Sequence, residues 1–271
     1  MKLVEWPLSL GYAARLLLLS NQSCSTVPVI ISLTSIPSRL PMLHWVIRSL
    51  LAQQPRAEKV VLWLNDMDKA NLPSPLSQLQ SECFEIHYHQ DTDSYRKLLP
   101  SLQAWPDKIV VTCDDDMLYP PNWLNNLYQQ HLRTPNSVVA HAGRLLRRSQ
   151  GQLLPYRQWP FVKQGHSVAE LLPIGFAGVL YPVGVFSAQV FDRQLYQQLC
   201  PKADDLWFKA QSYLQGVSSQ TTDTAWVKPL PLWSTQAQSL KKSNIGEDAN
   251  QRQWQALCDY FPALQALGEP K

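Results

Sequence analysis

From residue 27 onward, short apolar runs alternate with longer segments whose apolar residues recur at helical spacing. Strands that are apolar on both faces and separated by helices are typical of a parallel sheet, so we predict an α/β fold with a mostly parallel sheet flanked by helices. The predicted strands are Val27 to Ser35, Glu58 to Asp66, Phe84 to His89 and Asp107 to Cys113. The predicted helices are Ser38 to Gln54, with Ser38 as N-cap, one between the second and third strands, and one around Tyr95 to Trp105.

After about residue 140 this alternation weakens, and the chain becomes less regular. We predict one domain at residues 27–240, with a nucleotide-binding first half, followed at 241–271 by a loop and a helix that pack on it. Residues 1–26 form a predicted amphipathic helix or extension, because Glu5 and Arg15 interrupt an apolar run too short for the ~20 residues of a membrane span. Two hypotheses stay open for this helix: packing on the domain, or peripheral contact with the membrane surface.

The composition narrows the class of protein. The chain has 271 residues, 45% of them apolar and 17% charged, which is typical of a globular protein. Its net charge of +3 is too small to indicate nucleic acid as a partner, although it would suit a phosphate-bearing ligand. The five cysteines are scattered without CxxC spacing, so we predict neither disulfides nor zinc, and a cytoplasmic location.

Polar residues follow each predicted strand, where ligands of open α/β sheets bind. Most conspicuous are three consecutive carboxylates, Asp114, Asp115 and Asp116, directly after the fourth strand. In extended backbone Asp114 and Asp116 would face one ligand while Asp115 turns away. Such oxygen donors suit Mg²⁺ or Mn²⁺, and the alternative is a solvated acidic turn. The other polar residues at strand ends are Thr34, Ser35, Arg39, Asn65, Asp66, Asp91 and Asp93.

A buried strand that ends in Asp-x-Asp resembles the GT-A-type glycosyltransferases, in particular bacterial family-2-like enzymes of surface polysaccharide and lipopolysaccharide synthesis. Four further stretches carry the resemblance: "SLTSIPSR", "LND", "DSYRKLLPSL" and "ADDLWFKA". The resemblance spans roughly residues 27–215. It implies a GT-A-type, Rossmann-like domain with a nucleotide-binding first half and an acceptor-binding second half.

The resemblance also implies roles for individual residues. Asp116 would ligate Mn²⁺ or Mg²⁺, and Asp114 would contact the ribose or the metal through water. The remaining donor-binding residues would be Thr34, Ser35, Arg39, Asn65, Asp66, Lys97 and Asp115. Many relatives take a further metal ligand from a histidine near the C-terminus, but all six histidines here precede residue 167. Asn244, Asp248 or water would have to replace it, and Lys241 and Lys242 could close on the diphosphate.

The acid pair Asp204-Asp205 has two interpretations. The resemblance implies that Asp205 is the general base that deprotonates the acceptor hydroxyl and that Asp204 supports it. In the alternative interpretation, the two acids are present only because the helix dipole stabilises negative charge at a helix N-terminus. A sugar hydroxyl is a poor nucleophile, and a departing nucleoside diphosphate gains charge, so this chemistry requires a base and a cation.

We therefore predict a metal-dependent glycosyltransferase that moves a sugar from a nucleotide sugar to a hydroxyl of a glycan or lipid-linked glycan at the cell surface, with inversion. The alternatives are a nucleotidyltransferase and a non-catalytic nucleotide- or sugar-binding relative. A nucleotidyltransferase would normally carry a glycine-rich loop after the first strand, and "LTSIPSR" has no glycine.

Overall fold

The computed structural model describes residues 10–12, 25–91, 93–232 and 248–268. The chain divides into two compact units, Met1–Gln129 with Val227–Ser239, and Gln130–Trp226 with Leu240–Lys271. The segment that contains Lys241, Lys242 and Asn244 lies outside the described residues, as does most of the predicted N-terminal helix. No helix in the described ranges is long and apolar enough to cross a membrane.

The strands are β1 (Thr26–Thr34), β2 (Arg56–Asn65), β3 (Phe84–His89), β4 (Ile109–Thr112), β5 (Met117–Leu118), β6 (Val138–Ala140), β7 (Ala142–Leu145), β8 (Arg148–Ser149), β9 (Gln152–Leu153), β10 (Phe161–Lys163), β11 (Leu171–Pro173), β12 (Val179–Tyr181), β13 (Ser219–Thr221) and β14 (Leu230–Pro231). The helices are α1 (Leu40–Leu51), α2 (Ser74–Ser77), α3 (Leu99–Ala104), α4 (Trp123–Arg133), α5 (Arg193–Leu199), α6 (Asp204–Leu214) and α7 (Ala249–Tyr260).

The first unit is built on four parallel strands in the order β4-β1-β2-β3. Ile31 of β1 lies opposite Val60 of β2 and Val111 of β4, and all three side chains are buried. Parallel pairing brings the carboxyl ends of these strands to one edge. The predicted α/β fold and mostly parallel sheet are thus confirmed.

Helix α1 begins later than the sequence predicts. A 3₁₀ turn at Pro37–Arg39 precedes it, Arg39 occupies the N-cap position, and no side chain caps the helix, so the prediction of Ser38 as N-cap is wrong. The physical reason is the pair of prolines: Pro37 starts the 3₁₀ turn and Pro41 occupies the first turn of α1, where a missing N–H costs nothing. Arg39 therefore lies between the end of β1 and the first turn of α1.

The second unit combines short strands with helices. β6 pairs antiparallel with β12 and parallel with β13, and β7 lies between β10 and β11 in an antiparallel sheet. Gly143 in β7 must be glycine, because a Cβ atom there would lie 2.5 Å from the carbonyl oxygen of Leu172. Trp207 of α6 is fully buried and its Nε1 donates to the carbonyl of Val190, so this tryptophan belongs to the core.

Candidate functional site

The three carboxylates Asp114–Asp116, which we call the acid turn, follow β4 directly. They do not continue the strand, because Asp115 and Asp116 form a turn before β5 begins at Met117. The buried Tyr119 holds this turn: its hydroxyl accepts from the backbone N–H of Asp114 at 2.9 Å. The backbone carbonyl of Asp116 accepts from the N–H of Leu232 at 2.8 Å. Backbone contacts on both sides therefore fix where the carboxylates lie.

Asp115 does not turn away from its neighbours, so that prediction is wrong. Its carboxylate accepts from Ser35 Oγ at 2.5 Å and forms an ion pair with Arg39, while the same guanidinium lies 3.3 Å from Asp116. Asp115 is only 5% exposed. Alternation of side chains holds only in extended backbone, and the turn brings Asp115 and Asp116 onto one cation.

Charge repulsion within the acid turn is substantial. Burial and the neighbouring carboxylates of Asp114 and Asp115 together raise the pKa of Asp116 to about 7, against the opposing effect of Arg39. Burial acts to lower the pKa of Arg39, but Asp115 and Asp116 more than reverse this and raise it above its usual value. Arg39 therefore stays a cation, and the acid turn keeps a net negative charge that a further cation would stabilise.

Lys97 supplies a second cation beside the acid turn. Its ammonium lies 3.9 Å from Asp114, the residue is buried, and its carbonyl accepts from Ser32 Oγ at 2.6 Å. Asp114 is the most exposed of the three acids, with 36% of its side chain accessible. Contact of Lys97 with a nucleotide donor stays a prediction.

Arg96 was missed by the sequence analysis. Its guanidinium is buried and donates to Thr34 Oγ1 at 2.7 Å, to the carbonyl of Ser35 at 2.9 Å and to that of Asp91 at 2.6 Å. It thereby ties the end of β1 to the segment that carries Lys97. The only signal in the sequence was its position beside Lys97 in "DSYRK", which does not separate a structural arginine from a binding one.

Asn65 and Asp66 are placed differently from the residues above. The Asn65 side chain accepts from the N–H of Met67, and Asp68 accepts from the N–H of Asn65, which is the reciprocal pattern of a capping box. Asn65 also donates to the carbonyl of Gln90 at 3.0 Å. Asp66 is exposed at the end of β2. The side-chain hydrogen bonds of Asn65 therefore hold a turn, whereas Asp66 faces solvent.

The chemistry of the donor set fits a divalent metal ion. Within the described residues, no group of three or more His, Cys, Asp or Glu side chains forms a metal site by itself. Asp114 and Asp116 do provide hard oxygen donors, and the repulsion that raises the pKa of Asp116 is what a cation would relieve. Mg²⁺ characteristically binds through one or two carboxylates and completes its shell with substrate phosphate and water, so two protein ligands are sufficient.

In the second unit, Asp204 and Asp205 begin helix α6, as the helix N-terminus interpretation expects. Asp204 is buried, whereas Asp205 is half-buried and its Oδ2 accepts from the backbone N–H of Gly175 at 3.0 Å. Gly175 opens a 3₁₀ turn that ends at Gly178, whose φ of 101° favours glycine. Asp205 is thus oriented by a neutral backbone donor and retains an exposed part.

Comparisons with known proteins bear on the family. The sequence model of the family described as "Glycosyl transferase family 2" matches residues 37–198, more than half of the chain. The match includes β2 to β4, Lys97 and the acid turn, and it ends before the acid pair of α6. No curated protein matches this sequence at a significant level.

Solved structures resemble the chain only at the level of fold. A CMP:2-keto-3-deoxy-manno-octonic acid synthetase complexed with CTP is 13% identical, with a TM-score of 0.43 over 75% of this chain and 93% of that one. A 4-diphosphocytidyl-2C-methyl-D-erythritol synthase is 10% identical, with a TM-score of 0.46 over 83% and 98%. A 4-diphosphocytidyl-2C-methyl-D-erythritol synthase from Anaerococcus prevotii DSM 20548 is 13% identical, with a TM-score of 0.45 over 84% and 96%.

Proposed function

Because the chain belongs to glycosyl transferase family 2, we propose that it transfers a sugar from a nucleotide-sugar donor to a hydroxyl group of a cell-surface glycan or lipid-linked glycan, with inversion at the transferred carbon. We place this reaction in the cytoplasm. The observation that carries the proposal is the acid turn at the end of β4, where three carboxylates lie beside Arg39 and Lys97.

The first unit would bind the donor. Arg39 and Lys97 are cations at the sheet edge where diphosphates bind in open α/β folds, and both are held in place by buried contacts. Ser35 fixes Asp115, and Arg96 fixes Thr34 and Ser35, so the chain around the donor is ordered in advance. A rigid set of charges stabilises developing charge without reorganising during the reaction.

Asp114 and Asp116 would hold Mn²⁺ or Mg²⁺. A bound divalent cation supplies charge neutralisation for the departing nucleoside diphosphate. Arg39 and Lys97 contribute to the same neutralisation from their own positions, and their side chains balance the acid turn before the donor binds.

Asp205 would act as the general base. Its carboxylate takes the proton of the acceptor hydroxyl as that oxygen bonds to the donor's anomeric carbon and the bond from this carbon to the diphosphate breaks. The N–H of Gly175 holds one carboxylate oxygen and would thereby orient the carboxylate. Asp204 would act through Asp205 as a positioning residue.

The test is a screen of nucleotide sugars for hydrolysis in the absence of acceptor, because glycosyltransferases slowly transfer to water. We expect one donor to release its sugar and a nucleoside diphosphate in a Mn²⁺- or Mg²⁺-dependent manner. Release of pyrophosphate from a nucleoside triphosphate and a sugar phosphate would instead indicate a nucleotidyltransferase. Donor binding without either product would indicate the non-catalytic relative.

A further inference from the structure

A group of aromatic and cationic side chains lies at the surface of the second unit. We call Phe161, Phe176, Trp226, Lys163 and Arg144 the aromatic–cationic patch. The Trp226 ring centroid lies 6.0 Å from that of Phe161 and 6.2 Å from that of Phe176. The Lys163 ammonium lies over Trp226 at 5.2 Å, and the Arg144 guanidinium lies over Phe161 at 6.0 Å.

The patch adjoins Asp205. Phe176 directly follows Gly175, whose N–H donates to the Asp205 carboxylate. On the other side, Arg144 lies over the ring of Tyr156 at 4.8 Å. Burial raises the pKa of Tyr156, Arg144 lowers it and Asp205 raises it further, so both charges act on this phenol. The patch is therefore connected to the proposed base through the backbone of Gly175 and Phe176.

The aromatic rings of the patch are not core residues. Phe161 is 39% exposed, and Trp226 and Phe176 are half-buried, in contrast to Trp207, which is fully buried. The Trp226 Nε1–H is buried and has no hydrogen-bond partner among the described residues. An unpaired buried N–H costs free energy, and a ligand acceptor at this position would remove that cost. Exposed aromatic rings beside polar groups are the usual platform for the apolar face of a sugar.

Neither cation of the patch has an acidic partner among the described residues. No carboxylate of those residues lies within ion-pair distance of Lys163 or Arg144; both cations lie over rings, and Arg144 also donates to the carbonyl of Trp159. Arg133, in contrast, pairs with Asp223. Lys163 is exposed and therefore available to an anion from solution.

From these contacts we propose that the aromatic–cationic patch binds the acceptor sugar, and that this sugar carries a negatively charged group, a carboxylate or a phosphate. The inference rests on the proposed function, since it identifies the acceptor class of that reaction. The apolar face of the sugar packs on Trp226 and Phe161, and its anionic group pairs with Lys163 and Arg144. The anionic group has to point away from Asp205, because like charges repel, which leaves a hydroxyl group to face the base.

The experiment compares three matched methyl glycosides by calorimetry or saturation-transfer NMR: a neutral hexoside, the corresponding uronate and the 6-phosphate. For the wild-type protein we expect the preferred anionic glycoside to bind at least about fivefold more tightly than the neutral one, with a preference that weakens as salt rises. The uronate and 6-phosphate arms identify which anion is preferred. Lys163→Gln should reduce that preference about three- to tenfold while neutral-sugar affinity stays close to wild type. Trp226→Leu should weaken binding of all three sugars together.

Arg147→Gln is the matched control, since Arg147 belongs to the same basic run as Arg144 and contacts no aromatic ring among the described residues. It should retain both the anion preference and donor hydrolysis. An equal affinity of the wild type for all three glycosides, or a preference that Lys163→Gln leaves unchanged, would overturn the inference. Donor hydrolysis is measured separately: its absence from the wild type contradicts the proposed function, whereas its presence without anion preference contradicts only the acceptor assignment.

Discussion

The two units hold their functional acids in opposite surroundings. In the first unit the acid turn is charged and crowded: Asp115 and Asp116 share Arg39, and Lys97 lies near Asp114. In the second unit Asp205 accepts from the backbone N–H of Gly175, the residue that precedes Phe176 of the aromatic–cationic patch. The first arrangement suits a fixed field for a charged diphosphate, whereas the second suits a group that gains and loses a proton. Under the proposed function, the same residue type would serve two tasks that depend on its neighbours.

We expect the largest effect from replacing Asp205, the acid of the second unit. Asp205→Asn is nearly isosteric and can still accept from Gly175, but it cannot take a proton. We expect glycosyl transfer to fall by roughly 10²- to 10⁴-fold, as is typical when general base assistance is lost, with donor affinity retained. The measurement is the single-turnover rate with a saturating acceptor.

Asp204→Asn is the control for this variant. Because Asp204 is buried at the start of α6, its replacement should cost less transfer than that of Asp205. A larger loss in Asp204→Asn would assign the base to the first acid of the pair. Unchanged transfer in both variants would show that the pair only stabilises the helix N-terminus.

Arg39→Gln tests the first arrangement through stability. It leaves three adjacent carboxylates without their shared guanidinium, and breaking a buried pair in this way costs about 3 kcal/mol or more in the free energy of unfolding. Urea denaturation at pH 7 measures the loss of unfolding free energy, which should shrink at pH 5 as Asp116 takes up a proton. Lys59→Gln removes a more exposed ion pair with Glu85 and should cost under about 1 kcal/mol. Equal losses of unfolding free energy in the two variants would show that the ion pairs of Arg39 stabilise the protein no more than an exposed ion pair does.

Replacement of a buried cation in the second unit should have the opposite effect and raise the free energy of unfolding. Burial lowers the pKa of Lys209 to about 8, although Glu170 opposes the shift, and its ammonium donates to Ser219 Oγ. Below pH 8 Lys209 is protonated in the folded state, and the free-energy cost of burying its charge lowers the stability of the wild type. Lys209→Met should therefore raise the free energy of unfolding by about 2–3 kcal/mol at pH 7. Between pH 8 and the pKa of Lys209 in the unfolded chain, the folded protein releases the Lys209 proton while the unfolded chain still holds it. The stability of the wild type therefore rises relative to that of the variant, and the difference in unfolding free energy between them disappears. A difference that does not change between pH 7 and pH 10 would refute the assignment.

Ser35→Ala should produce the smallest effect. It removes one hydrogen bond to Asp115, whose carboxylate keeps its ion pair with Arg39, so we expect a loss of about 1.5 kcal/mol. Ser137→Ala removes an exposed hydroxyl contact with Ser218 and serves as the control, with a loss near zero. Thermal unfolding of both variants measures the difference, and a Ser35→Ala protein as stable as wild type would show that Ser35 does not hold the acid turn.

Periodicity was sufficient to predict the four parallel strands of the first unit. β1, β2 and β4 contain runs of buried apolar residues, whereas the edge strand β3 alternates apolar and polar residues. The position of the acid turn also followed, since the acids come directly after β4. Its internal geometry did not, because alternation assumes extended backbone and the chain turns at Asp115. The cap of α1 was missed because a 3₁₀ turn and an N-terminal proline displaced the start of the helix.

The missed residues share one physical cause. Arg96 and Tyr119 act through backbone carbonyl and N–H groups of residues far away or across a turn, and such partners leave no pattern in the sequence. The aromatic–cationic patch combines Phe161 with Trp226, which are 65 positions apart and meet only through the fold. Roles that depend on tertiary contacts therefore required the structure.

The central claim is that the acid turn binds a nucleoside diphosphate together with a divalent metal ion, and titration calorimetry tests it most directly. A panel of nucleoside diphosphates is titrated into the wild type and into Asp116→Ala, each with Mn²⁺ and with a chelator, beside Asp223→Asn as an exposed-acid control. The account predicts that one nucleotide binds the wild type at least about tenfold more tightly with Mn²⁺, and that Asp116→Ala alone loses this gain. Equal affinity of wild type and Asp116→Ala, with and without Mn²⁺, would contradict it.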